Sequence, residues 1–245
     1  MAIKKLMIYG MPRTGTSMIQ SVIADQMFNL PNRGEPFNAG NAKLPYYIKD
    51  SRDFQAINEW ARNTTDGVFK FLGPNQWYFD LSEILKMSFD HVILVHRHNP
   101  LDIALSEAHA TYTGYYHYLG NPMYRANRDD IVEQEFVFLE RDIMSWLSNY
   151  YQWARGIEII NQSLIPASQL DYDHVMNTGK ITVSDIEHDI DWAAINTVPL
   201  QIDYRRLCLN LDQVQSMIDE YVDDDLEKTI DRLHDLVQFY KGTIS

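Results

Sequence analysis

A single cysteine, Cys208, is the whole thiol content of the chain. That scarcity excludes an internal disulfide and a thiolate zinc cluster, and it suits a reducing cytoplasm. Basic residues are scarce too, with 21 Lys and Arg against 34 Asp and Glu, a formal charge of −13. General nucleic-acid and anionic-membrane binders rely on a basic surface, so neither is expected, and the few cations that do cluster stand out. No apolar run has the length to span a bilayer, and no apolar signal-like stretch precedes the first expected strand. A soluble, cytoplasmic protein is the expectation. Internal repeats and low-complexity tracts are also lacking. What is present is 245 residues, 45% of them apolar, enough for one substantial core. A single domain over 1–245 is expected, with a helical C-terminal portion at about 211–241.

The most informative stretch is IKKLMIYGMPRTGTSMIQSVI, residues 3–23. Leu6, Met7, Ile8 and Tyr9 form a short apolar run suited to a central parallel strand, and Gly10 interrupts it. From Gly15-Thr16-Ser17 onward, Met18, Ile19, Val22 and Ile23 recur at helical spacing. The strand-to-helix turn therefore falls on Met11-Pro12-Arg13-Thr14-Gly15-Thr16. Amide N–H groups at such a helix start lack intrahelical partners and lie at the positive end of the dipole, so Pro12 to Ser17 form a cradle for phosphate or sulfate. The spacing G-x-x-x-x-G-x-S matches the nucleotide-binding P-loop, except that Thr16 stands where a P-loop NTPase has its Lys. Arg13 is the cation instead. The strand expected at 91–95 runs into His96-Arg97-His98 with no carboxylate at its tip to help hold magnesium. Cations at both strand ends suit a ligand with phosphates at two places and no obligatory metal.

On these residues GMPRTGTSMI resembles the 5′-phosphosulfate loop of sulfotransferases that use 3′-phosphoadenosine 5′-phosphosulfate (PAPS), and RHNPLDIALS resembles their 3′-phosphate motif. The resemblance implies a three-layer α/β/α fold with a central parallel sheet and P-loop-like topology. It implies PAPS as co-substrate with no metal required, and a small-molecule, glycan or peptide hydroxyl acceptor. It also implies that Arg97 and Ser106 hold the 3′-phosphate. One residue is inserted relative to the family's R-x-P-x-D-x-x-x-S, so His98 is an alternative to Arg97. Arg97 is favoured for its permanent charge and its fork of donors.

Phe28 to Asp50 reads as a long functional loop, with Tyr46 and Tyr47 arguing against disorder. Within it, Glu35-Pro36 resembles the setting of the general base in tyrosylprotein and some bacterial and carbohydrate sulfotransferases. The alternative reading of Glu35 is a solvated loop carboxylate. The second strand, Val68-Phe69-Lys70-Phe71-Leu72, places a Lys inside an apolar run, which is costly unless its amine reaches water or an anion. Cytosolic relatives carry K-x-H-x-P here, with His as base. This chain has Leu72 in place of that His, which shifts the base to Glu35 and leaves Lys70 to stabilise the transferring group. A snorkelling edge-strand lysine is the other reading of Lys70.

Further helices are expected at 51–63, 77–87 and 129–161, then at about 211–222 and 224–241, the last stopped by Gly242. Asp102 reads as a helix N-terminal carboxylate, and Asp223-Asp224-Asp225 as capping. The tyrosine-rich run from His109 to Arg128 could line an acceptor pocket or a homodimer contact. His109 and His117 lie eight residues apart, too far for paired ligands on one helix face. Ser168 to Met176 resembles the family strand ending in Y-E-D-M, which makes Tyr172 a cofactor contact or an ordinary strand-end Tyr. Two other classes fit the same cradle: a P-loop nucleotide kinase or NTPase, and a non-catalytic nucleotide-binding module.

Overall fold

The computed structural model describes residues 3–38, 53–113, 134–195 and 202–244. The chain divides into two compact units, Met1–Arg97 with Gln152–Trp192, and His98–Tyr151 with Ala193–Ser245.

The first unit is α/β and is built on a five-stranded parallel sheet flanked by helices, compatible with a three-layer α/β/α arrangement. Strand β1 (Lys5–Gly10) is buried along its whole length, as its unbroken apolar run requires of a strand covered on both faces. It leads through a loop into α1 (Thr16–Ser21), which continues as a π-helical stretch to Met27. The edge strand β2 (Asn32–Gly34) follows, then α2 (Phe54–Asn63), β3 (Gly67–Leu72) and a 3₁₀ turn at Gly73–Trp77. After α3 (Leu81–Leu85) comes β4 (His91–His96).

Helix α4 (Pro100–Thr113) belongs to the second unit, and α5 (Glu140–Gln162) enters the first at Gln152. Strand β5 (Ala167–Asp171) completes the sheet in the order β2-β3-β1-β4-β5, followed by α6 (Tyr172–Thr178) and the hairpin β6 (Lys180–Val183) and β7 (Ile186–Asp189).

All pairings in the sheet are parallel, so every strand ends at one edge. Gly10 of β1 lies opposite Leu72 of β3 and opposite Val95 of β4. The chain runs from β1 to β2 on one side and from β4 to β5 on the other, so the order reverses between β1 and β4. Such switch points, at the carboxyl ends of the strands, are where open α/β sheets bind ligands. A core of Met7, Tyr9, Phe37, Ile57, Phe69, Phe71, Phe79, Ile84 and Val92 holds the sheet from one side.

The second unit contains α4, the first half of α5, α7 (Tyr204–Leu207), α8 (Leu211–Tyr221) and α9 (Leu226–Ile244). Its Phe136 bridges Cys208 in parallel, donating to Leu207 O and accepting from Leu209 N. No helix among the described residues is long and apolar enough to cross a membrane.

Several expected boundaries move. Within the helix expected at 129–161, residues 134–139 are not helical and α5 runs from Glu140, because Phe136 and Phe138 are buried while Val137 and Leu139 are exposed; 129–133 lie outside the described residues. That alternation belongs to an extended chain. The helix expected at 77–87 splits into the 3₁₀ turn and α3, with Asp80 capping the latter through Ser82 N. The strand expected at Ser168–Met176 ends at Asp171, which caps α6 through Asp173 N. Gly242 stops nothing, since α9 continues to Ile244. Three residues of the long loop after α1 are a strand, β2, bulged where it pairs with β3.

Candidate functional site

The loop after β1 is wound tightly. Gly15 has φ 75° and Arg13 φ 66°, both in the left-handed region that only glycine occupies without strain. Thr14 Oγ1 donates to Met11 O at 2.7 Å, and Thr14 and Thr16 are buried. A Cβ on Gly10 would lie 2.7 Å from Thr16 Cγ2 and 3.1 Å from Thr14 Oγ1, so the loop folds back tightly over the end of β1. Arg13 and Ser17 are half-buried, and Pro12 lies between them and the strand end.

Lys70 comes from β3, an interior strand, and is 6% exposed. It does not snorkel. Its Nζ donates to Ser17 Oγ at 2.8 Å and pairs with Glu35 Oε2 at 2.8 Å. This is the anion that a lysine in an apolar strand requires, since breaking such a buried pair costs about 3–5 kcal/mol. Glu35 is not a solvated loop carboxylate either, for its side chain is 13% exposed and its Oε1 accepts from Asn38 Nδ2 at 3.0 Å.

Two devices fix Glu35. On one side, Gln20 of α1 donates to Gly34 O and Val68 O, both at 2.9 Å, tying β2 to the helix that follows the cradle. On the other, Phe37 is fully buried against Phe71 and Phe79, a packing whose loss to Ala costs about 3–5 kcal/mol. Leu72 is buried apolar wall, and its N–H donates to Asn75 Oδ1.

Arg97 follows β4 directly. Its Nε donates to Asp173 Oδ1 at 3.3 Å, and its guanidinium carbon stands 5.4 Å from the Tyr172 ring centroid. A Cβ on Gly15 would come within 2.0 Å of the Tyr172 ring, so that ring lies close against the loop. Only glycine admits this contact. The first unit thus brings together loop residues 12–17, Glu35, Lys70, Arg97 and Tyr172 along the carboxyl ends of the strands.

No protein-family model, curated protein or solved structure matches the chain.

Ser106 and His98 belong to the second unit, Ser106 being buried in α4. His109 is buried in that unit with its ring edge-on to Phe136 and Tyr204. Tyr112 is exposed on α4. Tyr46, Tyr47, His117 and the remaining tyrosines up to Tyr124 lie outside the described residues. Asp102 pairs with Arg205 at 2.8 Å in the second unit. Asp223 and Asp225 accept backbone N–H bonds at the start of α9, as capping requires.

Gln20, Asn38 and Asp173 are not among the expected site residues. Gln20 carries a visible signal, a lone amide among Met18, Ile19, Val22 and Ile23. Asn38 and Asp173 carry none, because nothing in their local sequence separates them from ordinary loop and helix-start residues.

Proposed function

We propose that the chain is a PAPS-dependent sulfotransferase on the sulfotransferase variant of the P-loop-like fold, transferring a sulfuryl group to an acceptor hydroxyl or amine. The observation that carries this reading is the Lys70 ammonium, 2.8 Å from the Ser17 hydroxyl of the cradle and 2.8 Å from the Glu35 carboxylate. It links the phosphate loop to the resemblance-derived base through one cation. The parallel strand order and the arginine beyond β4 support the same reading.

In the proposed step the acceptor oxygen or nitrogen attacks sulfur, the bond from sulfur to the 5′-phosphate oxygen breaks, and 3′-phosphoadenosine 5′-phosphate leaves. Glu35 takes the acceptor proton. Lys70 and Arg13 offset the charge that develops on the transferring group and the leaving phosphate, and amides of residues 13–17 hold the 5′-phosphate. Arg97 anchors the 3′-phosphate. Ser106 is assigned to the same group by the resemblance alone. Tyr172, against Gly15, is a wall beside the nucleotide.

Calorimetry with 3′-phosphoadenosine 5′-phosphate, ATP and AMP tests this. Tight binding of the bisphosphate alone is expected, together with its release from PAPS when a panel of phenols, sugars, alkyl alcohols and amines is screened. Magnesium-dependent ATP turnover would replace this reading with a kinase or NTPase. Nucleotide binding without transfer to any acceptor would favour a non-catalytic module.

A further inference from the structure

We infer that Asp173 is a positioning residue: it holds Arg97 by Nε so that the two terminal Nη groups are presented to the 3′-phosphate. This deepens the proposed function and rests on it, because it needs Arg97 to be the 3′-phosphate anchor. A guanidinium has five donors in one plane, usable from its Nε side or from its Nη end. Arg97 meets Asp173 Oδ1 through Nε at 3.3 Å, a one-point contact on the side rather than a fork on the end. The Nη pair therefore keeps the geometry for a bidentate contact with two phosphate oxygens.

Three supports restrict the side chain. Its backbone leaves the end of β4, its Nε rests on Asp173, and its guanidinium carbon lies 5.4 Å from the Tyr172 ring centroid, with that ring pressed on Gly15. The backbone of Asp173 is held at the start of α6, where its N–H donates to Asp171 Oδ1 at 2.9 Å. An arginine ordered before its ligand arrives loses less rotamer freedom on binding, which favours affinity. The opposing effect is repulsion between Asp173 and a phosphate dianion. With Asp173 37% exposed and its contact single-point, solvent screens that repulsion, and the ordering effect dominates.

The test is calorimetry on the full chain with 3′-phosphoadenosine 5′-phosphate and with AMP, which lacks the 3′-phosphate. Asp173→Asn is expected to weaken the bisphosphate about tenfold, a fraction of what a charge-assisted contact contributes, and to leave AMP unchanged. Asp173→Glu should restore part of the loss. In an Arg97→Ala background, Asp173→Asn should have no further effect, because the two residues act as one unit.

Equal weakening of both ligands by Asp173→Asn would make Asp173 a support of α6 only and overturn the inference. Tighter bisphosphate binding would overturn it as well, by making Asp173 a competitor for Arg97. An undiminished effect of Asp173→Asn in the Arg97→Ala background would likewise sink it. Should Arg97→Ala itself weaken AMP as much as the bisphosphate, the 3′-phosphate assignment fails at Arg97, and the role of Asp173 falls with it.

Discussion

Two lysines are buried in the same parallel sheet, and they are satisfied in opposite ways. Lys5, at the start of β1, donates to the carbonyls of Ala61 and Met87 at 2.8 and 2.7 Å and lies over the rings of Phe69 and Phe89. Those partners are backbone carbonyls and core rings, fixed parts of the fold. Lys70, near the end of β3, is held instead by a carboxylate just after β2 and a hydroxyl in the first turn of α1. Such side chains can exchange partners when an anion arrives. A buried cation at the amino-terminal edge of this sheet therefore reads as architecture, and one at the carboxyl-terminal edge, where the loops diverge, as a site.

The largest effect expected from that contrast is at Glu35. Glu35→Gln keeps the shape and can still accept from Lys70, but removes basicity. Turnover should fall by about 10²–10⁴-fold, as for a positioned general base, while calorimetric affinity for the bisphosphate stays within about twofold. Wild-type turnover by this variant with a true acceptor would return the carboxylate to a structural role. Lys70→Met should come next, lowering turnover by about 10²–10³-fold. It should also destabilise the protein by up to about 3–5 kcal/mol, because Glu35 loses its counterion. Adding Glu35→Gln should restore part of that stability without restoring activity, which chemical denaturation of the single and double variants would read out. A double variant no more stable than Lys70→Met would mean that the pair carries no coupling.

Lys5→Met should give the reverse pattern. Activity is expected to be unchanged and stability lower by about 1–3 kcal/mol, since the carbonyls of Ala61 and Met87 lose their donor. Burial lowers the Lys5 pKa from 10.5 to about 8, against the pull of Asp90. Below about pH 8 the amine is charged in both states. Between about 8 and 10.5 only the unfolded chain carries the proton, so stability rises with pH through that window. Denaturant midpoints measured from about pH 7.5 to 10.5 should show a slope in wild type that Lys5→Met lacks. An identical slope in both proteins would remove Lys5 as its source.

How much of this is legible from sequence differs along the sheet. Strands β1, β3 and β4 are apolar runs long enough to announce themselves, and the loop, Lys70 and Arg97 can be placed because they sit at the ends or inside of those runs. Strand β2 carries no such signal. Asn32-Arg33-Gly34 is a strand only because β3 offers it hydrogen bonds and Gln20 pins it, both long-range facts. The hairpin β6–β7 is hard to read although Ile181 and Val183 alternate with exposed neighbours, because its turn is Ser184-Asp185 rather than a glycine pair. Residues 134–139 suggest a helix because Phe136, Phe138 and Leu139 satisfy a helical count as readily as a period of two. For the site, residue types are legible and mutual support is not. Glu35 and Lys70 are far apart in the chain, and only the register of β3 between β2 and β1 brings their charges together.

The smallest expected effect returns to the amino-terminal edge of the sheet. His91 opens β4, and its ring nitrogens pair with Ser168 Oγ at 2.8 Å and Ser184 Oγ at 3.0 Å, joining β5 to the β6–β7 turn. Both partners are hydroxyls, which can donate to one nitrogen and accept from the other, so the neutral ring is fully served without a charge. Burial lowers its pKa below the ordinary 6.5. Well above pH 6.5 the ring is then neutral in both states and its contribution is complete. As pH falls through 6.5 the unfolded chain takes up the proton first, so stability is lost on the acid side. His91→Gln should cost about 1 kcal/mol at about pH 7.5, the worth of one buried hydrogen bond. The gap between the two proteins should narrow at about pH 5, where wild type alone bears the cost of keeping the ring neutral or charging it while buried. Activity should not change, because like Lys5 this residue faces the edge where the fold supplies every partner. A gap that instead widens in acid would mean that the folded ring prefers the proton, and would point to an unrecognised anion at this edge.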